Sequence, residues 1–161
     1  LLRANLFLIL DMVPNMRKYP DSILYLDEQI CFPLYAASRL VTRLYHPLLE
    51  PMGITYPQYL VMLSLWQHGD LTVSQLCART VLESNTLTPL LKKMEVKGLI
   101  SRKRQADDER VVEVSLTKQG RALKKRALEI PPKLFESVGF PLDKGLQLRS
   151  LLKELVAHLT V

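Results

Sequence analysis

The chain has 161 residues, 48% of them hydrophobic and 24% charged, with a formal net charge of +6. That length suits one compact domain or a small domain with extensions, and the apolar fraction is enough to build a core. Two cysteines with 45 positions between them and three scattered histidines exclude a regularly spaced zinc site and a disulfide framework, which fits a reducing cytosol.

The charge is concentrated. Ser84 to Arg126 holds 12 Lys and Arg against 5 Asp and Glu, whereas the rest of the chain holds 10 against 11. A polyanionic partner is therefore expected at that segment.

In chain order, Leu6-Phe7-Leu8-Ile9-Leu10 behind Arg3 is an apolar run too short to span a bilayer. No small-residue cleavage site precedes Asp11 and Pro14, so neither a signal peptide nor a membrane partner is expected. The sequence opens on Leu, and Met12 and Met16 are candidate starts; residues 1–25 read as a weakly constrained extension. From about Leu26 to Leu49, Ile30, Leu34, Ala37, Val41, Leu44 and Leu48 recur at helical spacing. Pro33 lacks an amide donor and belongs in the first turn of that helix or kinks it. A helix starting near Ile30 would set Cys31 among free amides, at the end of the dipole that favours a thiolate.

Pro51-Met52-Gly53 breaks the chain, and Tyr56 to Gln67 reads as a second apolar helix. Thr72-Val73-Ser74-Gln75 fits a capping box for a short helix ending near Thr80. Val81 to Asn85 is the turn, with Ser84 or Asn85 as cap, and Thr86 to Lys97 is the next helix, stopped by Gly98. This is helix-turn-helix geometry. Leu99–Arg104 and Val111–Leu116 read as strands joined by the polar turn Gln105–Arg110, a basic hairpin of the kind called a wing. Thr117-Lys118-Gln119-Gly120 caps a helix running to about Ile130, where Pro131-Pro132 interrupts or ends it. Asp143 to Leu159 is a final helix with Leu148, Leu151, Leu152, Leu155, Val156 and Leu159 on one side. The fold class is mainly α with a small β-hairpin wing, a winged helix-turn-helix domain carrying N- and C-terminal helices.

Side-chain chemistry on this frame fits DNA. Asn85, Thr86 and Thr88 are short donors and acceptors at the start of the second helix of the pair, where base edges or phosphates come within reach. Lys92, Lys93 and Lys97 follow on that helix and suit phosphates, and Arg102 and Arg104 add charge on the wing strand. Arg110 at the wing tip has the length and flat fork to enter a minor groove, with Asp108 placed to fix its pose. A solvated basic helix and hairpin is the bland alternative.

Tyr56-Pro57-Gln58-Tyr59-Leu60, Leu87-Thr88-Pro89-Leu90-Leu91-Lys92-Lys93-Met94-Glu95, Gly98-Leu99-Ile100, Arg102-Lys103-Arg104 and Asp108-Glu109-Arg110 together resemble the MarR family of winged-helix repressors. Gln29-Ile30-Cys31-Phe32 with Leu34-Tyr35 is similar to the organic-hydroperoxide-sensing branch, the OhrR-like regulators. The resemblance covers about Asp27 to Leu159. It implies a cytoplasmic homodimer with interlocking terminal helices that represses from double-stranded operator DNA until a cysteine, matching Cys31, is oxidised by an organic hydroperoxide. It further implies that the tyrosines matching Tyr45 and Tyr56, from the other subunit, hydrogen-bond the sulfur; Tyr35 lies one turn from Cys31. The implied organisation is a sensor and dimerisation helix over 26–55, a DNA-binding domain over 56–118 and dimerisation helices over 119–161. No cofactor is implied.

Two departures matter. Ala127 to Gly139 carries no second cysteine, so a small external thiol is the expected partner of the oxidised sulfur. Glu83-Ser84-Asn85-Thr86 stands where the branch has Asp-Ser-Gly-Thr. Cys77, mid-helix in Ser74-Gln75-Leu76-Cys77-Ala78, reads as packing. Two alternatives stay open: a repressor released by a phenolic or aromatic ligand with Cys31 only structural, and a thiol peroxidase using Cys31. Without a cysteine–histidine arrangement, a phosphate loop or a metal cluster, an enzyme is not expected.

Overall fold

The computed structural model describes residues 20–160. The Leu6–Leu10 run and both candidate starts lie outside the described residues. The described residues divide into two units, residues 20–41 and residues 42–160.

Two 3-10 turns, Asp21–Leu24 and Leu26–Glu28, precede the long helix α1, Cys31–Leu49, whose residues up to Val41 belong to the first unit. The helix therefore starts five residues later than the apolar spacing from Leu26 indicates. Pro33 is the physical reason: it has no N–H to donate to the carbonyl of Gln29, so no α-helical bond can close there. Instead the Phe32 amide bonds the Gln29 carbonyl at 3.3 Å. The Gln29 side chain folds back to donate to the Ile23 and Tyr25 carbonyls. Pro33 itself sits in the first turn of α1, where its missing donor costs nothing. No residue from 20 to 41 is buried.

The second unit holds the core. Helix α2, Tyr56–His68, is opened by a Thr55/Gln58 capping box and buries Tyr59, Val61, Met62 and Leu65. A two-residue strand β1, Leu71–Thr72, leads into α3, Val73–Thr80, whose Thr72/Gln75 capping box forms as the sequence predicts. Helix α4, Ser84–Val96, buries Leu87, Leu91 and Met94. Its N-cap is Glu83, with no side-chain capping bond, not Ser84 or Asn85. Val81 takes the left-handed conformation (φ 56°) and turns the chain at one residue, so α4 begins two residues before Thr86. At the other end Gly98 (φ 69°) is left-handed, and the Leu99 amide reaches back to the Met94 carbonyl at 3.1 Å, closing the helix as expected.

Strands β2, Ile100–Arg104, and β3, Val112–Leu116, form the antiparallel wing. β1 adds to the free edge of β3 with Leu71 opposite Val114, giving the order β1-β3-β2. Two residues are too few to show a period, and this third strand is absent from the sequence reading. Thr117 caps α5, Lys118–Ala127, its hydroxyl accepting from the Gly120 amide at 3.0 Å. A Cβ on Gly120 would lie 2.0 Å from the Leu99 carbonyl oxygen, so only glycine fits this crossing. Pro131 and Pro132 fall in the first turn of a further helix, α6, Ile130–Val138, so they start a helix as well as end one. The last helix α7, Leu142–Leu159, buries no residue, and Leu142, Leu151 and Leu159 are more than 60% exposed.

Among the described residues no helix is long and apolar enough to cross a membrane. Nor does any group of three His, Cys, Asp or Glu stand where a metal ion could be held.

Candidate nucleic-acid interface and sensor site

Leu87, Leu91 and Met94 anchor α4 through one face, which turns Asn85, Thr86, Lys92 and Lys93 outward as exposed side chains. Thr86 donates to the Asn85 side-chain oxygen at 3.2 Å, so the two present one polar unit at the head of the helix. Half-buried Thr88 lines a polar crevice of about 280 Å³ with Thr72, Ser74, Ser84, Arg102 and Arg110. Residues of the first turns of α3 and α4 and of the wing thus line one polar crevice.

The wing tip has the geometry its spacing indicates. Asp108 Oδ1 accepts from the Arg110 backbone amide at 3.0 Å and from Arg110 Nε at 3.1 Å. The Arg110 side chain stays 92% exposed, so its pose is fixed while its terminal nitrogens remain free.

Two residues that the sequence groups with the DNA-facing cations also make internal bonds. Arg102 donates from Nε and Nη2 to Glu95 Oε2 at 3.0 and 2.6 Å, and its backbone amide donates to Glu95 Oε1 at 3.0 Å. These bonds hold the Glu95 carboxyl below the usual carboxylate range and join β2 to α4. Lys97 donates to the Gly53 carbonyl at 2.6 Å and to Gln58 Oε1 at 3.1 Å. Arg104 makes only a long bond of 3.4 Å to the Glu109 carbonyl. On α5, Arg121, Lys124 and Arg126 donate to the carbonyls of Leu116, Trp66 and Pro51. Of the twelve cations from Ser84 to Arg126, only Lys92, Lys93, Lys103, Lys118 and Lys125 have no side-chain bond among the described residues. The basic segment is thus in large part a set of internal ties.

Cys31 is the first residue of α1 and is exposed. Tyr35, one turn on, is exposed too, with the Arg39 guanidinium 5.5 Å from its ring centre. In the second unit, the Tyr45 ring lies 4.7 Å from Tyr56 and 5.7 Å from Tyr59, and Tyr59 meets Trp66 edge-on at 6.3 Å. Burial, then the neighbouring Tyr56 and Tyr59 phenols, push the Tyr45 phenol up to about 12. Burial raises Tyr56 and Tyr59 as well. All three are therefore neutral donors at ordinary pH. Sequence reasoning singled out Tyr45 and Tyr56 but missed Tyr59 and Trp66, which stand three and ten positions after Tyr56 on the same helix, a helical spacing visible in the chain. Cys77 is half-buried against the core, as a packing residue would be. A cavity of about 430 Å³ borders Tyr56, walled also by Thr42, His46, Leu49, Ile54 and Pro57.

Comparison with known proteins places this geometry. A family model described as the transcriptional regulator SarA/Rot matches residues 43–127. The chain is 54% identical over 106 residues to the organic hydroperoxide resistance transcriptional regulator of Bacillus subtilis (strain 168), spanning 66% of this chain and 72% of that protein. Among solved structures, reduced AbfR bound to DNA aligns with a TM-score of 0.67 at 36% identity, covering 84% of this chain and 95% of that one. The disulfide form of AbfR, a protein of Staphylococcus epidermidis, aligns at 0.56 and 36% identity, covering 81% and 92%. The chain belongs to the MarR family of winged helix-turn-helix transcriptional regulators, closely related to the redox-sensing branch of the organic hydroperoxide resistance regulator and AbfR.

Proposed function

We propose that the protein is a homodimeric repressor, held on operator DNA by α3, α4 and the wing and released when an organic hydroperoxide oxidises Cys31. The observation that carries this reading is an exposed thiol at the first residue of a helix, in a member of this family whose Tyr45 and Tyr56 are kept as neutral phenols. The name of the Bacillus relative and the reduced, overoxidised and disulfide forms of AbfR support it.

The chemistry balances simply. The Cys31 thiolate attacks one peroxide oxygen, an S–O bond forms as the O–O bond breaks, and the alkoxide leaves as an alcohol after taking a proton. Sulfur loses two electrons and the hydroperoxide gains them. The sulfenic acid then condenses with a small thiol to give a mixed disulfide and water, since no cysteine lies between Ala127 and Gly139. Tyr45 and Tyr56 of the second subunit donate to the sulfur and favour its anionic form. Phe32, Leu34 and the tyrosine rings give an apolar wall that favours alkyl hydroperoxides over hydrogen peroxide. Oxidation rearranges those hydrogen bonds and alters the spacing of the two recognition helices. On DNA, Asn85, Thr86 and Thr88 face base edges and phosphates, Lys92, Lys93 and Arg104 face phosphates, and Arg110 enters the minor groove.

The test is a gel shift on the promoter of the protein's own gene. One equivalent of cumene hydroperoxide per subunit should release the complex and a thiol reductant should restore it. Continued consumption of hydroperoxide far beyond one equivalent would favour a peroxidase instead. The cavity beside Tyr56 favours a second reading, release by a small phenolic ligand. A non-oxidising phenol that releases Cys31→Ser would support it.

A further inference from the structure

Gln58 is the one buried polar side chain among the described residues, 4% exposed. Its Oε1 accepts from the Thr55 amide at 3.1 Å, as part of the α2 cap, and from Lys97 Nζ at 3.1 Å. Lys97 is the C-cap residue of α4, and its ammonium also holds the carbonyl of left-handed Gly53 at 2.6 Å. One side chain therefore ties the end of the recognition helix to both ends of the short segment Gly53–Gln58. Tyr56 stands inside that segment, its ring stacked 4.7 Å from Tyr45.

We infer that Lys97 is a positioning residue that carries oxidation of Cys31 to the recognition helix, by coupling the segment that holds Tyr56 to the end of α4. This rests on the function proposed above. When the hydrogen bonds of Tyr56 to the sulfur are lost, segment 53–58 shifts. The Lys97 ammonium is bonded to both ends of that segment, the Gly53 carbonyl and Gln58 Oε1, so Lys97 follows. Helix α4 moves as one body, because Leu87, Leu91 and Met94 pack along its length. The Glu95–Arg102 bonds take the wing with it. Both DNA-reading elements are thus driven from one ammonium group, whose partners lie 44 and 39 positions away in sequence.

The experiment compares operator dissociation constants before and after cumene hydroperoxide for full-length parent, Lys97→Met and Lys97→Arg, with Cys31 oxidation followed by intact mass. The parent should weaken by about 5–150-fold, the usual span of allosteric coupling. Lys97→Met should oxidise at the parent rate and, compared with its own reduced form, weaken less than about threefold on oxidation, because the coupling is removed. Lys97→Arg, which keeps donors for both oxygens, should restore release. If Lys97→Met folds poorly, Lys97→Gln is read the same way. Release of Lys97→Met to the parent's extent overturns the inference. So does lower reduced affinity with a salt slope smaller by about 0.9 and release retained, the signature of a phosphate contact. A parent that oxidation does not release contradicts the proposed function itself, and the inference with it.

Discussion

Between Tyr56 and Ile130 every helix and strand buries at least one residue, whereas residues 20–41 and α7 bury nothing. The composition of the two regions does not explain the contrast. Ile23, Leu24, Leu26, Ile30, Leu142 and Leu151 are as apolar as the core, yet all are exposed. Burying such surface is worth about 25 cal/mol per Å², so a chain that leaves it in water has more to gain from association than from its own packing. The body buries its own core, and we propose that a second chain covers the terminal segments. The thiol lies in the exposed region, and on this proposal an altered sulfur changes how the subunits meet.

The sharpest way to break this contrast is to remove residues 143–161. The account expects loss of the dimer by sedimentation equilibrium and loss of tight binding to a full palindromic operator, while the body still melts cooperatively. A monomeric truncation that binds the palindrome as tightly as the parent contradicts it. Next in size is Arg110→Ala, which touches only the self-contained body. It should weaken operator binding at fixed salt by about 1–3 kcal/mol and leave dimerisation and oxidation unchanged; unaltered affinity removes Arg110 from the interface.

Val81→Asn should stabilise the body by about 1 kcal/mol in chemical denaturation. A β-branched residue is strained in the left-handed conformation that asparagine tolerates, and Val81 is 73% exposed, so little packing is lost. Destabilisation would show that Val81 earns its place elsewhere, for instance against a second subunit. The smallest effect is alkaline. The folded state keeps Tyr45 protonated beyond its ordinary value of 10.0, so this stabilisation is complete below pH 10 and is lost as pH rises through about 12. Melting temperatures across that window should fall less steeply in Tyr45→Phe than in the parent, and equal slopes would argue that the phenol is not held by the fold.

What the sequence made legible was local. The Thr72 and Thr117 caps, the Gly98 stop and the hairpin all depend on residues within a few positions of one another. Apolar spacing alone runs on from Leu26, and it was Pro33 that pointed to a start of α1 near Ile30, next to the observed Cys31. β1 was too short to signal, and the cap of α4 followed from the backbone of Val81 and not from the polarity of Ser84 and Asn85. For the site, the place of Cys31 at a helix start and the lock of Asp108 on Arg110 could be read from spacing. The duties of Lys97 and Arg102 could not, because charge does not reveal whether a cation already has a partner.

The central claim is that Cys31 is the switch, and Cys31→Ser tests it most directly. In a gel shift with organic hydroperoxide the account predicts parent-like operator binding and no release, because a serine hydroxyl is not an oxidisable nucleophile; Cys77→Ser should release as the parent does. Release from Cys31→Ser, with Cys77→Ser unresponsive, would contradict the assignment.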